Sequence, residues 1–226
     1  MVDIQIKKMK YNFSGDPSGT HMLITEQVLP GSKVLDIGCA SGYLGEFLIK
    51  NKGCEMWGIE PDNEGYNLSI KKGYIKVVSS CVEAGLADDS LKNEKFDYII
   101  MADVLEHLVN PENILSKIDN FLNKNGKLLV SLPNVGHYST RFSLLLGRWD
   151  MQDAGILDRT HLHFYTLKTM SEMFKKTGWQ IDLVRPRGDL ERWGRKINLE
   201  KVGKIFLFGL SRFFAVQFIF VLSKER

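Results

Sequence analysis

Short apolar runs recur along the chain, and most are followed by a turn and then by apolar residues at helical spacing. The clearest unit spans residues 33–48, where the run KVLDI leads into the small-residue turn GCASG and then into Tyr43, Leu44, Phe47 and Leu48. Such a run predicts a strand buried in a sheet, and the spacing after the turn predicts a helix. Because glycine permits close backbone approach and a helix start offers unpaired N–H groups, the turn between them is a candidate ligand cradle.

The same alternation continues and predicts a seven-stranded sheet. The predicted strands cover residues 34–37, 55–59, 74–78, 96–101, 127–132, 179–184 and 215–222. The predicted helices cover residues 21–29, 43–48, 67–72, 105–121 with a restart at Asn110-Pro111, 167–177 and 206–214. Strands that alternate with helices indicate a parallel sheet covered on both faces. We therefore predict one α/β domain over residues 1–226, with a Rossmann-like, mostly parallel sheet and a cap inserted after strand five.

Glu60 follows the second predicted strand, in the sequence Glu-Pro-Asp. A carboxylate at this place in a βαβ unit can accept hydrogen bonds from both hydroxyls of a ribose. A solvated loop carboxylate is the alternative. The turn GCASG lacks the third glycine of the dinucleotide fingerprint, which speaks against a nicotinamide-dependent oxidoreductase.

Two stretches, DIGCASG and FDYIIMADVLEHL, resemble motifs of the class I S-adenosylmethionine-dependent methyltransferases. The resemblance covers about residues 33–133 with specific motifs and 134–222 more loosely. It implies an enzyme with S-adenosyl-L-methionine as cofactor, and a segment at residues 1–30 that covers this cofactor. The implied cofactor contacts are Asp36, Gly38, Ala40, Gly42, Glu60, Pro61, Cys81, Val82, Ala102 and Tyr11. After strand three this sequence has Ser80-Cys81-Val82-Glu83 where the family commonly has an aspartate, so the adenine acceptor there is Cys81, Ser80 or main chain.

The motif DVLEH follows the fourth predicted strand, whose carboxyl end borders the ligand crevice in an open α/β sheet. Asp103, Glu106 and His107 are therefore expected near the reactive methyl group. Helix capping by Asp103, and support of the fold by Glu106 and His107, are the alternatives.

Residues 134–165 form the predicted acceptor cap, because a connection of this length is commonly functional. It holds three of the five histidines. A histidine titrates near neutral pH, and His161 and His163 share a face if the segment is extended. We expect His161, with Asp158, to act as general base. His163 is an equal candidate by geometry, and His137 stands behind both. Expected acceptor contacts are Asn134, Arg141, Trp149, Arg159 and His163, and a purely structural cap is the alternative. No metal site is expected.

The cap pattern SLPN–GH–R–GRWD–GILDRTHLHFYT most resembles methyltransferases associated with cell-surface glycan and O-antigen synthesis. This resemblance implies O-methylation of a sugar or glycan-precursor hydroxyl. Methyltransferases of small metabolites, of the quinone or methionine pathways, and a non-catalytic S-adenosylmethionine-binding module are the alternatives.

The 226 residues carry a net charge of +3, and their composition is ordinary for a globular protein, with 44% hydrophobic residues. From Leu183 onward there are ten Lys/Arg against four Asp/Glu, so this quarter is basic. It can attract an anionic acceptor or associate weakly with an anionic membrane surface, although a solvated face is as good an interpretation. No nucleic-acid partner is expected. Three cysteines without metal-ligand spacing and no signal peptide favour a cytoplasmic protein. The apolar run at 205–222 contains Arg212 and is not expected to cross a membrane.

Overall fold

A computed structural model describes residues 19–188 and 210–224 of the chain. The strands are β1 Lys33–Ile37, β2 Glu55–Ile59, β3 Lys76–Val78, β4 Phe96–Ala102, β5 Leu122–Pro133, β6 Trp179–Gly188 and β7 Ala215–Lys224. The α-helices are α1 Thr20–Thr25, α2 Tyr43–Lys52, α3 Asn63–Lys71, α4 Val82–Gly85, α5 Pro111–Leu115, α6 Tyr138–Leu145 and α7 Leu167–Lys176. Residues 210–214 are also helical, and Leu105–His107 and Ile118–Phe121 are 3₁₀ turns.

The strands form one sheet in the order β3-β2-β1-β4-β5-β7-β6. All neighbouring strands pair in parallel except β7, which is antiparallel to both β5 and β6. The predicted seven-stranded, mostly parallel sheet is therefore confirmed. Strand order reverses between β1 and β4, and ligands of open α/β sheets bind at the carboxyl ends of strands beside such a reversal.

Each face of the sheet is covered by its own apolar core. On one face, Val34, Met56 and Ile100 pack with residues of α1 and α2, including Ile24 and Leu48. On the other face the strand residues pack with α7 and the start of β6; this core includes Leu35, Ile99, Met170, Phe174 and Trp179. Side chains alternate between faces along a strand, which is why neighbours Val34 and Leu35 join different cores. The predicted cover of helices on both faces is confirmed.

The restart predicted at Asn110-Pro111 is confirmed, but the rest of the helix predicted at 105–121 is wrong, because the pieces on either side of α5 are short 3₁₀ turns. The 3₁₀ turn Leu105–His107 cannot continue as an α-helix, since the Glu106 carbonyl oxygen accepts N–H groups of Leu162 and His163 from the cap (2.8 and 3.2 Å). Helix α5 then starts anew, with the Asn110 side chain accepting the N–H of Asn113 and a proline in the first turn.

Other element ends also differ from the predictions. Strand β5 starts at Leu122 and β6 continues to Gly188, whereas β3 is only three residues long. The first helix ends at Thr25, and α3 begins at Asn63 because Asp62 caps it by accepting the N–H of Gly65 (2.8 Å). Of the helix predicted at 206–214, residues 206–209 lie outside the described part. Helix α6 inside the cap was not predicted. No helix among residues 19–188 and 210–224 is both long and apolar enough to span a bilayer.

Candidate cofactor and acceptor site

The turn after β1 adopts backbone conformations that demand small residues. Gly38, Ala40 and Gly42 all have positive φ, at 71°, 48° and 70°. A side chain at Gly38 would meet the Cγ2 atom of Val104 at 2.8 Å, and one at Gly42 would meet the Cα atom of Ser69 at 2.7 Å. The turn therefore packs directly against the DVLEH segment on one side and α3 on the other, at the carboxyl ends of β1 and β4.

Glu60 connects the turn after β1 with the turn after β2. Its Oε2 accepts the N–H of Ala40 (2.6 Å), and its Oε1 accepts the N–H of Asp62 (2.9 Å). The residue is only 6% exposed, and burial raises the pKa of its carboxyl, while the two backbone hydrogen bonds oppose that rise. Each oxygen has a second lone pair that can accept a hydroxyl, so the site fits the predicted ribose contact, which stays a prediction.

Asp36 lies beneath the turn, not in the open crevice. It is 3% exposed, and its Oδ2 accepts the hydroxyl proton of Tyr74 at 2.6 Å. Gly45 and Gly58 make room for this ring, since a Cβ at Gly45 would lie 2.3 Å from the Tyr74 Cζ. Burial raises the pKa of Asp36 to about 7, although the Tyr74 hydrogen bond opposes the rise and the nearby Glu60 adds to it. The structure thus assigns this carboxyl to the support of the turn, and a direct cofactor contact stays a prediction.

The other predicted cofactor residues lie along the same edge of the sheet. Ala102 is half-buried at the end of β4, and Pro61 is exposed next to Glu60. Cys81 is exposed and Val82 is buried at the start of α4, just after β3. Tyr11 and residues 1–18 lie outside the described residues. Of the predicted covering segment, helix α1 is described, and its His21 Nε2 lies 3.0 Å from the Tyr43 hydroxyl at the start of α2.

Asp103 connects four elements at this edge and does not cap the following turn. It has a positive φ of 56°, and its Oδ1 accepts hydrogen bonds from the Ser131 hydroxyl (2.9 Å) and the Gln217 amide. The Gln217 oxygen in turn accepts the hydroxyl proton of Thr20. This network fixes β4, β5, β7 and α1 relative to one another.

Asn134 serves the fold. It is completely buried, and its Nδ2 donates to the carbonyl oxygens of Ala215 (2.8 Å) and Arg212 (3.3 Å), while its Oδ1 accepts the N–H of Gly136 (3.0 Å). The structure therefore gives Asn134 a structural role in place of the predicted acceptor contact, because its side chain has no exposed surface that an acceptor could reach.

His137 and Arg141 lie at the first turn of α6. His137 is 5% exposed, and its Nδ1 lies 2.7 Å from the Ser139 hydroxyl and caps the helix by accepting the Ser139 N–H. Arg141 is exposed, and its Nε–H donates to the Gly136 carbonyl (2.6 Å) while its guanidinium carbon lies 5.5 Å from the centre of the Phe213 ring. A base role for His137 and an acceptor contact for Arg141 stay predictions.

The segment 158–163 is not extended, which corrects the expectation that His161 and His163 share a face. The His161 N–H donates to the Asp158 carbonyl (3.1 Å), forming a turn. The Asp158 carboxylate accepts the backbone N–H (2.8 Å) and hydroxyl (2.6 Å) of Thr160, so it shapes this turn and does not hydrogen-bond the His161 ring. His163 points elsewhere, with its ring stacked on that of Tyr165 at 5.9 Å.

His161 joins Glu106 and His107 in what we call the EHH cluster. The His161 side chain is 6% exposed, and its Nε2 lies 4.0 Å from the Glu106 Oε1. Its ring packs edge-to-face on the His107 ring at 4.8 Å. Burial lowers the pKa of His161, and the neighbouring His107 lowers it further. Glu106 is fully buried, and desolvation raises the pKa of its carboxyl well above the usual range.

Trp149 and Arg159 lie on the outer side of the cap. The Trp149 ring packs edge-to-face on Phe164 at 5.2 Å, and Phe164 packs on His161 at 6.2 Å. Trp149 therefore lies one aromatic ring away from the EHH cluster. Arg159 forms an exposed ion pair with Asp153 (3.4 Å), which contributes little to stability. Acceptor contacts by Trp149, Arg159 and His163 stay predictions.

Sequence reasoning did not select Glu106 and His107 as site residues, although it placed them near the crevice. The signal was the acidic residue and histidine directly after the fourth strand. The sequence pattern could not show whether Glu106 lies in an ordinary helical turn or is buried against the cap. Glu106 and His161 are brought together only by tertiary contacts.

The sheet order and the turn at the sheet reversal give the chain the fold of the class I S-adenosylmethionine-dependent methyltransferases. A solved methyltransferase of this type from Archaeoglobus fulgidus superposes with a TM-score of 0.58 at 20% identity, covering 92% of this chain and 95% of that one. Phosphoethanolamine N-methyltransferase 2 of Haemonchus contortus, in complex with S-adenosyl-L-methionine, has a TM-score of 0.57 at 17% identity, over 91% of this chain and 52% of that chain. These likenesses confirm the predicted fold.

The chain belongs to the family of the methionine biosynthesis protein MetW, whose model matches residues 19–209. It is also similar to the ubiquinone biosynthesis O-methyltransferase of Glaesserella parasuis, with 33% identity over 110 residues, which is 46% of each chain. The chain spans a little under half the length of the first curated relatives it matches.

The buried Asp36 predicts a specific pH dependence of stability. Its carboxyl has a pKa of about 7 in the folded chain, above its ordinary value of 3.8, so the folded state binds more protons between these two values. The stabilisation is complete below about pH 4 and is lost as the pH rises through about 7. We expect Asp36→Asn to reduce the decline of unfolding free energy over this range, measured by urea denaturation at several pH values. The exposed Asp89→Asn variant controls for net charge, and an Asp36→Asn curve parallel to that of the parent would contradict the assignment.

Proposed function

We propose that this chain transfers the methyl group of S-adenosylmethionine to a hydroxyl oxygen of a small-molecule acceptor. The observation that carries the proposal is the Glu60 carboxylate, buried at the sheet reversal and hydrogen-bonded to the N–H of Ala40 in the turn after β1. The name of its curated relatives, ubiquinone biosynthesis O-methyltransferase, supports oxygen as the methylated atom.

The residues at this edge fit the cofactor. Glu60 offers carboxylate lone pairs for the ribose hydroxyls, and the turn Gly38–Gly42 brings the backbone and the start of α2 to the ligand without side-chain bulk. When bound, the cofactor supplies a methyl group attached to a positively charged sulfur, and this sulfur is a good leaving group. The protein's part is therefore mainly to orient the acceptor oxygen in line with that methyl group and to exclude water.

An oxygen nucleophile also has to lose its proton. His161, with Asp158 shaping its turn, stays the predicted base from sequence, and its lowered pKa keeps the ring neutral and able to accept a proton at neutral pH. The His161 ring lies next to Glu106. Glu106 comes three residues after Asp103, which directly follows β4. This position supports the proposal that His161 accepts the proton of the acceptor hydroxyl.

For the acceptor we propose first a sugar or glycan-precursor hydroxyl, on the pattern of the cap sequence. Exposed cations on or beside the cap, Arg141, Arg148 and Arg159, suit a phosphorylated precursor. A small metabolite is the second candidate, and the names of the family and of the curated relatives favour it. A non-catalytic binding module is the third.

A panel of acceptors tests this choice. Purified protein with methyl-labelled S-adenosylmethionine would be incubated with nucleotide sugars, with catechols and quinols, and with methionine precursors, and products identified by mass spectrometry. A labelled methyl ether on a sugar supports the first candidate, and one on a phenol supports the second. Saturable cofactor binding with no labelled product in any pool would overturn the proposed acceptors and favour a binding module, while binding of NAD in place of S-adenosylmethionine would overturn the class of reaction.

Glu60 gives the sharpest test of the cofactor site. We expect Glu60→Ala to weaken S-adenosylmethionine binding by about 1.5–3 kcal/mol, the scale for hydrogen bonds to a charged group. The measurement is titration calorimetry. Because Glu60 also holds Ala40 and Asp62, the unfolding free energy must be measured in parallel, and Glu60→Gln, which keeps the shape and one acceptor, separates lost charge from lost packing. Unchanged affinity in Glu60→Ala, with the exposed Glu64→Ala as control, would refute the ribose contact.

His161 is tested by replacing it with glutamine. If it is the base, kcat should fall about 10²-fold or more while cofactor affinity holds. Because burial lowers the pKa of His161, the parent enzyme should keep its activity to a pH below the usual histidine range near 6.5. Leu162→Ala is the matched control, since Leu162 is next to His161 in the chain and its side chain is 57% exposed. Retained activity in His161→Gln, or collapse of cofactor binding, means that this ring is structural.

A further inference from the structure

We propose that the EHH cluster, Glu106, His107 and His161, binds a divalent transition-metal ion at the carboxyl end of β4. A ring nitrogen of each histidine and a carboxylate oxygen of Glu106 all lie within 4.8 Å of one another. The two segments that supply them are more than fifty residues apart in sequence.

Glu106 provides the strongest reason for a ligand. Its side chain is fully buried, and neither carboxylate oxygen has a hydrogen-bond partner among residues 19–188 and 210–224. Buried polar groups in native proteins are nearly always paired, and a buried carboxyl without a partner loses the hydrogen bonds that water gives it, whether it is charged or protonated. A bound cation satisfies both oxygens and the charge at once.

In both histidines Nδ1 lies next to a backbone carbonyl oxygen, which leaves Nε2 for a ligand. The Nδ1 of His107 lies 3.2 Å from the Thr160 carbonyl oxygen, and the Nδ1 of His161 lies 3.3 Å from the Ile156 carbonyl oxygen. A carbonyl only accepts, so each Nδ1 carries the proton and each Nε2 keeps its lone pair. Donation of one ring N–H to a backbone carbonyl is the usual arrangement of histidines that bind metals.

The backbone holds the two halves of the cluster together. The Glu106 carbonyl oxygen accepts the N–H groups of Leu162 (2.8 Å) and His163 (3.2 Å), which fixes the cap against the turn that carries Glu106 and His107. The ligand positions are thus built by main-chain contacts and do not depend on flexible loops.

Two imidazoles and one carboxylate suit a first-row divalent ion such as Zn²⁺, Co²⁺ or Mn²⁺, with coordination positions left for water or an acceptor. The cluster is near the cofactor turn, since Val104 touches Gly38. Resting on the proposed function, an ion here would act as a Lewis acid that lowers the pKa of the acceptor hydroxyl, whose proton would pass to water. His161 then serves as a ligand and not as the base, because its Nε2 has a single lone pair.

The test uses the full chain, stripped with a chelator and titrated with Co²⁺, whose visible d–d absorption reports on coordination, and with Zn²⁺ by calorimetry. We expect one ion per chain. Glu106→Gln, His107→Gln and His161→Gln should each weaken binding by about 100-fold or more, whereas the matched control His163→Gln should leave it unchanged.

Absence of Co²⁺ and Zn²⁺ binding, or binding that survives in Glu106→Gln and His107→Gln, would overturn the site. His107 is exposed, so its variant keeps the test valid even if Glu106→Gln does not fold. If His161→Gln binds Co²⁺ as tightly as the parent chain, His161 is not a ligand and the three-residue site is refuted. Metal binding is measured without cofactor or acceptor, so its failure leaves the proposed methyl transfer standing, and failure to find methyl transfer leaves the metal result standing.

Discussion

The Glu60 carboxylate bridges the turn after β1 and the turn after β2, and the rest of the site depends on this bridge. One oxygen holds Ala40 in a left-handed conformation, and the other holds Asp62 at the cap of α3. Main-chain hydrogen bonds reinforce this bridge, because the N–H groups of Gly38 and Cys39 donate to the Ile59 carbonyl oxygen at the end of β2 (2.8 and 3.3 Å). Beneath it, the Tyr74 hydroxyl on Asp36 supports the same turn from the core. The cradle is therefore rigid before any ligand arrives, which reduces the entropy that binding has to overcome.

Two other carboxyl groups are buried near this edge among the residues that the structure describes, and they differ in their hydrogen-bond partners. Asp36 has a hydroxyl donor, so its burial is compensated within the protein. Glu106 has no donor among the described residues, and burial raises the pKa of both groups. A fold seldom keeps an uncompensated buried acid for stability alone, because an apolar side chain of similar size would cost less. This contrast is what singles out the EHH cluster as a site for a ligand.

The cap is attached to the sheet at defined points. It begins and ends at one bridge, where Asn134 pairs with Tyr165 and the Val135 N–H donates to the Tyr165 carbonyl (2.8 Å). The Glu106 carbonyl holds the cap a second time, at Leu162 and His163, shortly before its C-terminal end. Between these points it exposes several large apolar side chains, among them Phe142 and Leu145 at 64% and 80%. The cap therefore exposes an apolar surface between the points at which it is fixed to the rest of the fold.

The sequence by itself determined the sheet, the order of its elements and the cradle, because these depend on local patterns: a buried apolar run, a small-residue turn, and an acid at the end of the second strand. It determined the restart at Asn110-Pro111 but not the 3₁₀ turn before it, where the Glu106 carbonyl bonds to the cap and not to its own helix. Nor did it show that Asn134 is a core residue. Only the tertiary structure decided which of the cap histidines faces Glu106, because that depends on a turn at Asp158 and on contacts between residues more than fifty positions apart, for which a single sequence carries no periodic signal.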